Sequence, residues 1–318
     1  MTINEASALV LQLLIPLGLV ARVGFVRKRT RLSWGLDLVL AVSYLAAIAL
    51  AIPWLALPWY LPWVFAALLL VAAVAGGRRA GRDTPAPRGL FARAGLGLRG
   101  LLTLILVGVT AVALWGRRGF AEPAVGVASP LGHGTYLVAN GGSSELINPH
   151  LKTLTAERFR SYRGQSYALD VVRVGAWGSR SSGMSPDDPT GYAIFGDTLR
   201  APCAGRVVRA VDGAPDRLPE GREPETLEGN VVIVECEGAW VVLAHLQQGS
   251  VAVRQGDRVS VGETVGLVGN SGNSDEPHLH IHAQTPGTTS DPLGGEPLPI
   301  TIDGRHLVRN DRFRESGR

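Results

Sequence analysis

The sequence predicts an N-terminal all-α membrane domain of four transmembrane helices, followed by a C-terminal β-rich domain. The chain of 318 residues is 46% hydrophobic and only 18% charged, which excludes a disordered or collagen-like chain and argues against a wholly soluble protein. The first 120 residues contain 13 basic and 3 acidic residues, whereas the remainder contains 18 and 24. All seven histidines and both cysteines lie in that remainder, so we expect the chemistry to reside there.

Four apolar stretches predict the membrane helices, at about 6–26, 36–53, 59–75 and 100–115. Each approaches the ~20 residues that a helix needs to cross the hydrocarbon core of a bilayer. Buried helices of a soluble domain would carry a polar face, which these stretches lack. Residues 54–63 (WLALPWYLPW) combine prolines that end helices with aromatics that favour the headgroup region. They predict an interfacial turn between the second and third helices.

The basic residues of the first part predict its orientation in the membrane. They cluster in the first connection (Arg22, Arg27, Lys28, Arg29, Arg31) and the third (Arg78, Arg79, Arg82, Arg88, Arg93, Arg99). The positive-inside rule therefore predicts that both connections are cytoplasmic and that the C-terminal domain is extracytoplasmic. The N-terminus has no basic region, so no cleavable signal peptide is expected. A membrane explains this basic charge, and no nucleic-acid partner is expected.

Valine-rich runs predict strands at 205–211, 230–235 and 240–244, with Glu237-Gly238 as a hairpin turn. Cys203 precedes the first run and Cys236 follows the second, so antiparallel pairing would bring the two cysteines to the same end. Because disulfides persist outside the cytoplasm, we expect a Cys203–Cys236 bridge rather than two buried thiols.

The densest cluster of chemical groups is Pro277-His-Leu-His-Ile-His282. Alternate residues of a strand face the same side of a sheet, so His278, His280 and His282 would project together. Three imidazoles on one face indicate metal binding or acid/base chemistry rather than a merely polar strand face, because their mutual repulsion on protonation is costly.

Around this cluster the sequence resembles the lysostaphin/LytM-type zinc metallopeptidases, family 23 of the metallopeptidases, which cut peptide bonds in bacterial peptidoglycan. The resemblance covers about residues 135–298. It is carried by APCAGRVVRAVDG (201–213), a hairpin ending in Ala-His-Leu246, the spaced glycines of 255–269, and GNSGNSDEPHLHIH (269–282). Biotinyl and lipoyl carriers share the V-x-x-G-x-x-V pattern but need a lysine at a hairpin tip, and no lysine follows Lys152. The resemblance implies a twisted antiparallel sheet.

The resemblance also implies roles for individual residues. Asp170, in the sequence YALD, and His280 correspond to ligands of one zinc ion. His245 and His278 correspond to the catalytic histidines that polarise the attacking water and stabilise the tetrahedral intermediate.

One position departs from the family pattern. The first ligand is ordinarily a histidine four residues before the aspartate, and this chain has Ser166 there. His150, in the upstream sequence Asn148-Pro-His150, is the candidate replacement, against the alternative of an ordinary loop histidine. His282 is expected to support the site or lie at the surface rather than bind the metal.

Two functions follow from this reading. The first is a membrane-anchored zinc endopeptidase that acts on peptidoglycan or another extracytoplasmic peptide. The second is a metal-free scaffold that binds or regulates a partner wall hydrolase, which Ser166 would favour. A transporter is disfavoured because the spans contain few ionisable residues, with Asp37 expected near a membrane edge. The expected organisation is a membrane domain (1–120), a linker (121–134), a metallopeptidase-like domain (135–310) and a tail (311–318).

Overall fold

A computed structural model of the chain describes residues 3–26, 30–80, 89–216, 226–288 and 291–316. The chain divides into two compact units, Met1–Leu114 and Trp115–Arg318. Several basic residues on which the predicted orientation depends lie outside the described residues: Arg27, Lys28, Arg29, Arg82 and Arg88.

The first unit is helical. Its elements are α1 (Ile3–Leu9), a π-helical turn (Val10–Leu14), α2 (Ile15–Gly24), α3 (Arg31–Ala51), α4 (Leu61–Arg79) and α5 (Leu90–Gly116). Among the described residues, four helical stretches are long and apolar enough to cross a membrane: Ala6–Gly24, Arg31–Ala51, Leu61–Arg79 and Arg93–Gly116. The four predicted apolar helices are therefore confirmed, although the second and fourth begin several residues earlier than expected.

Small residues bring α2 and α4 into close contact. A Cβ atom on Gly76 would lie 2.0 Å from the carbonyl oxygen of Val23, and one on Gly24 would lie 3.0 Å from the Cβ of Ala72. Such small-residue contacts are typical of helices that pack in a membrane. Residues 52–60 are non-helical, as the predicted turn requires, and the Trp54 indole donates a hydrogen bond to the carbonyl of Ile48 (3.1 Å).

The helical unit also contains a buried carboxylate. The side chain of Asp37 is inaccessible to solvent, and its Oδ1 accepts hydrogen bonds from Arg22 Nε (3.1 Å) and Arg99 Nη1 (3.0 Å). Asp37 therefore links α2, α3 and α5 through two permanently charged partners.

The second unit is a β-rich domain. Its strands are β1 (Val125–Val127), β2 (Gly134–Asn140), β3 (Leu169–Arg173), β4 (Thr198–Arg200), β5 (Gly205–Val211), β6 (Asn230–Cys236), β7 (Ala239–Leu246), β8 (Arg258–Val259), β9 (Thr264–Leu267), β10 (Leu279–Gln284), β11 (Pro297–Leu298), β12 (Ile300–Ile302) and β13 (Arg312–Glu315). Nine of them form an antiparallel sheet in the order β13-β2-β3-β10-β7-β6-β5-β8, with β11 also paired to β10. A valine- and leucine-rich core packs against the sheet.

The three predicted strands are confirmed as β5, β6 and β7. The hairpin between β6 and β7 turns at Glu237 (φ 50°) and Gly238 (φ 87°), where a left-handed backbone favours glycine. Cys203 and Cys236 form the expected disulfide, with their Cα atoms 5.9 Å apart.

Two short strands lie in segments that the sequence did not predict to be structured. β1 lies in the expected linker and pairs with β12. β13 lies in the expected tail and pairs with β2 at the sheet edge. β13 is held in place by Phe313, which is buried and stacks on Tyr136 with ring centroids 5.7 Å apart. One buried aromatic in a charged segment gives little hydrophobic periodicity for a sequence prediction to detect.

Candidate metal centre

The register of the central strands places two candidate ligands side by side. His280 on β10 is the direct partner of Asp170 on β3. Directly paired residues of an antiparallel sheet project to the same face, and here His280 Nδ1 lies 2.9 Å from Asp170 Oδ1. On its other side β10 pairs with β7, where His280 is opposite Ala244, so His245 lies one residue further along.

The structure brings all five candidate residues into one cluster. Ligand atoms of His150, Asp170 and His280 lie within 4.8 Å of one another, and so do those of His245, His278 and His280. The sequence-predicted residues therefore form two overlapping groups that share His280.

Three of these histidines have one ring nitrogen fixed by a carbonyl oxygen. His150 Nδ1 lies 3.0 Å from the side-chain oxygen of Asn148. His245 Nδ1 and His278 Nδ1 each lie 2.8 Å from a main-chain oxygen, those of Ser271 and Glu276 respectively. A carbonyl oxygen can only accept, so each Nδ1 carries the proton and donates it.

The opposite ring nitrogens face the cluster. His150 Nε2 lies 3.4 Å from Asp170 Oδ2, and His278 Nε2 lies 3.5 Å from Asp170 Oδ1. The backbone of His245 is left-handed (φ 62°), a conformation that a non-glycine residue adopts at an energetic cost and that is common at functional sites.

Asp170 is held by a second set of residues that sequence reasoning missed. Asn140 Nδ2 donates to Asp170 Oδ2 (2.8 Å). The guanidinium of Arg309 donates to the side-chain oxygen of Asn140 and to the carbonyls of Ala139 and Leu146. Asn140 could have been suspected only from its place before Gly141-Gly142, and nothing in the sequence marks Arg309.

The charges within the cluster shift several pKa values. Burial raises the pKa of Asp170, but His150, His278 and hydrogen bonds from the histidines outweigh it and hold that pKa well below its usual range. Burial lowers the pKa of Arg309 to about 10, although Asp170 opposes the shift.

The histidines respond differently to the same aspartate. Burial lowers the pKa of His150 to about 4 and that of His245 well below its usual value. Burial acts in the same direction on His278, but Asp170 and the Glu276 carbonyl raise its pKa to about 9. Near neutral pH, His150 and His245 are therefore neutral imidazoles, whereas His278 is an imidazolium.

Ser166, which stands at the family's usual histidine position, has its hydroxyl hydrogen-bonded to loop residues. Its buried hydroxyl oxygen is 2.7 Å from the Arg163 carbonyl and 2.8 Å from Thr153 Oγ1. Thr153 Oγ1 is in turn 2.8 Å from the carbonyl of His150. Ser166 thus supports the segment that presents His150.

Asn148 fixes the same segment. Its fully buried side chain donates to the carbonyls of Gly142 (3.1 Å) and Ala168 (3.2 Å), which orients its oxygen toward His150. The Ala168 carbonyl lies two residues before Asp170, so this amide connects the loop of His150 to the start of β3.

The chemistry of the donors tests whether this cluster fits a metal ion. Two imidazole nitrogens and one carboxylate are typical protein ligands of catalytic zinc. His150 Nε2 and His280 Nδ1 are the nitrogens left free by partners on the opposite side of each ring, as ligating histidines require. The residues present therefore fit zinc.

A clamp on the neighbouring loop orients His278. Both side-chain oxygens of Glu276 accept hydrogen bonds from Arg180, which is itself buried (2.6–2.9 Å). The main-chain oxygen of Glu276 is the group that accepts from His278 Nδ1. Sequence reasoning missed this pair, because 96 residues separate its members.

The family comparison agrees with the motif-based recognition. Residues 190–292 match the model of Peptidase family M23. The match includes His245, His278 and His280, whereas Asp170 and His150 lie upstream of it.

Individual proteins show similarity over parts of the chain. The cell division protein DipM of Caulobacter vibrioides is 35% identical over 103 residues, which are 32% of this chain and 16% of DipM. A peptidase M23 protein of Pseudomonas aeruginosa is 18% identical, with a TM-score of 0.28, over 57% of this chain and 54% of its own. The catalytic domain of lysostaphin from Staphylococcus simulans is 20% identical, with a TM-score of 0.22, over 34% and 79%.

Proposed function

We propose that this chain is a membrane-anchored, zinc-dependent endopeptidase that hydrolyses peptide bonds of cell-wall peptidoglycan. The observation that carries the proposal is the convergence of His150, Asp170 and His280 within 4.8 Å. The M23 match at residues 190–292 supports the reaction class. Peptidoglycan as the substrate is inferred from the family resemblance.

In this proposal His150 Nε2, one Asp170 oxygen and His280 Nδ1 hold the zinc ion. When bound, zinc supplies a Lewis acid that lowers the pKa of water and polarises a carbonyl group. A site with three protein ligands leaves a position open for these groups.

His245 and His278 act on protons at the open side. His245 Nδ1 donates its proton to the carbonyl of Ser271. Its Nε2 can therefore accept a proton from the attacking water and pass it to the leaving amine. His278, held by Glu276, presents its Nε2–H beside Asp170, where it can stabilise an oxygen that becomes anionic in the transition state. Both roles require a fixed ring orientation, which these hydrogen bonds provide.

The location of the domain is also part of the proposal. Residues 1–120 form the membrane anchor, residues 121–134 form the connection, and residues 135–310, together with β13 of the same sheet, form the peptidase domain on the extracytoplasmic side. The positive-inside rule supports this orientation. The Cys203–Cys236 disulfide is consistent with an oxidising compartment.

The competing function is a metal-free scaffold that regulates a partner wall hydrolase. It was suggested by the loss of the usual first ligand at Ser166. The proximity of His150 to Asp170 and His280 favours the enzyme, because a histidine remains available in place of the missing one.

Metal content of the full chain, purified in detergent, tests the proposal. We expect near-stoichiometric zinc and hydrolysis of purified peptidoglycan in the parent, and loss of both in His280→Ala and His150→Ala. His133→Ala, at an exposed histidine outside the cluster, is the matched control and should retain both. A parent that binds no zinc would contradict the enzyme. Full zinc and activity in His150→Ala would contradict the role of His150 alone.

A further inference from the structure

Strand β10 carries two polar side chains beyond His280 on the same face. His282 is 1% exposed and Gln284 is 0% exposed. Alternate residues of one strand share a face, so these three side chains form a row that runs from the candidate metal centre into the interior.

The row is a continuous chain of hydrogen bonds. His280 Nε2 lies 3.1 Å from His282 Nδ1, and His282 Nε2 lies 3.2 Å from Gln284 Oε1. Gln284 Nε2 donates to the carbonyl of Pro292 (2.8 Å). Each polar atom that extends the row has a partner.

The far end of the row determines the direction of the bonds between His280, His282 and Gln284. The Pro292 carbonyl can only accept, so the amide nitrogen of Gln284 faces it and the amide oxygen faces His282. His282 therefore carries its proton on Nε2 and accepts at Nδ1. His280 must then carry a proton on Nε2, which makes Nδ1, 2.9 Å from Asp170 Oδ1, the nitrogen available to a metal.

Two glycines from separate segments make room for Gln284. A Cβ atom on Gly164 would lie 1.8 Å from Gln284 Oε1, and one on Gly295 would lie 2.8 Å from Gln284 Nε2. Any larger residue at Gly164 would displace the amide oxygen. The backbone therefore forms a slot that holds this amide.

We propose that His282 and Gln284 are positioning residues that hold a proton on His280 Nε2 and so keep Nδ1, beside Asp170, as the nitrogen that binds the metal. The proposal rests on the proposed zinc site, since it assigns a purpose to that nitrogen. Outer partners of ligating histidines fix ring orientation and tautomer, and their loss lowers metal affinity or activity by about 10–100-fold. We expect an effect of this size at His282.

The test is the tautomer of His280 in the full chain, kept metal-free with chelator in detergent and labelled with ¹⁵N-histidine. The His280 signals are assigned by their loss in His280→Asn. The parent should show a protonated Nε2, whereas in His282→Phe only Asp170 remains as a partner of the ring and the proton should move to Nδ1. The zinc Kd of His282→Phe should rise by about 10–100-fold.

Two further variants separate positioning from folding. His282→Asn places an amide oxygen near the position of the lost Nδ1, so it should restore the His280 tautomer and most of the zinc affinity. Gln284→Met removes the anchor while keeping the volume, so it should shift the tautomer toward a mixture. His133→Phe is the control that should change neither readout.

An unchanged His280 tautomer in folded His282→Phe, with zinc affinity equal to that of His133→Phe, would overturn the proposal. Failure of His282→Asn to restore the tautomer would overturn it as well. Because the tautomer is measured without metal or substrate, a parent that binds zinc but cleaves no peptidoglycan would contradict the enzyme and leave this inference standing.

Discussion

Each of the two units contains a buried aspartate at the junction of several elements, and the two aspartates have different kinds of partner. Asp37 in the helical unit accepts from Arg22 and Arg99. Asp170 in the β-rich unit is surrounded by His150, His278 and His280 and accepts from Asn140.

The kind of partner determines whether each carboxylate can share a metal ion. An arginine stays protonated at physiological pH and presents only donors, so it neutralises a carboxylate and has no lone pair for a metal. A histidine can offer a lone pair from one nitrogen while the other is hydrogen-bonded. Asp37 is therefore suited to holding helices together, and Asp170 to sharing an ion with its neighbours.

The largest expected effect is that of Asp170→Asn. This change replaces a charged oxygen ligand with a neutral amide. It should lower zinc affinity and peptidoglycan hydrolysis by more than about a hundredfold, beyond the range seen for outer partners. Zinc stoichiometry and hydrolysis of the full chain measure it, with Asp187→Asn, at an exposed aspartate, as the control. Normal zinc content would remove Asp170 from the ligand set.

A smaller effect is expected at Asn140, which touches the carboxylate but none of the candidate nitrogen ligands. Asn140→Ala removes the hydrogen bond to Asp170 Oδ2 and should raise the zinc Kd by about 10–100-fold. Competition with a chromogenic chelator measures the Kd. Gln255→Ala, at an exposed amide, should have no effect, and an equal Kd in the two variants would contradict the supporting role.

Asp37→Asn should destabilise the helical unit without altering zinc content. Breaking a buried ion pair costs about 3–5 kcal/mol, but the Arg22 side chain is 42% exposed, so we expect a loss of roughly 1–3 kcal/mol in the free energy of unfolding. Loss of helical circular dichroism in denaturing detergent measures it. Arg22→Gln should cost less than Arg99→Gln, whose side chain is 20% exposed. The reverse order would contradict the assignment.

The last expected effect is the pH dependence of stability in the metal-free chain. His278 has a folded pKa of about 9, above the unfolded value of ~6.5, so its contribution is complete below ~6.5 and is lost as the pH rises through about 9. His150 has a folded pKa of about 4, so its contribution is complete above ~6.5 and is lost as the pH falls through about 4.

Thermal unfolding at graded pH, with chelator present, measures both contributions. The melting temperature should be highest near pH 6.5 and decline on either side. His278→Gln should flatten the alkaline decline, and His150→Gln should flatten part of the acidic one, which Asp170 also affects. An unchanged alkaline decline in His278→Gln would show that Asp170 does not hold His278 in its charged form.

The sequence predicted the parts of this fold that depend on local pattern. The membrane helices have long apolar runs, and β5, β6 and β7 have dense valine, so both were identified in advance. β13 was missed because its burial rests on Phe313 alone. Its pairing with β2 joins segments about 175 residues apart, a distance at which local pattern is uninformative.

The residues of the candidate site also divide into those that a local motif predicts and those that only the fold reveals. His278, His280 and His245 stand in recognisable motifs, and Asp170 stands in a short one. His150 was identified only because Ser166 left a ligand missing, and Arg309 was not identified at all. Arg309 acts on Asp170 through Asn140, and such a relay becomes visible only when three distant segments are seen together.

The placement of the cluster across the boundary of the M23 match has a consequence for how this domain can be divided. Residues 190–292 contain His245, His278 and His280, together with His282 and Gln284. Asp170, Asn140 and His150 all come from the preceding segment, and Arg309 comes from the following one. A fragment restricted to the matched stretch would therefore contain the proton-transferring histidines and only one of the three proposed metal ligands, His280. Moving this site to another scaffold would require both flanking segments as well.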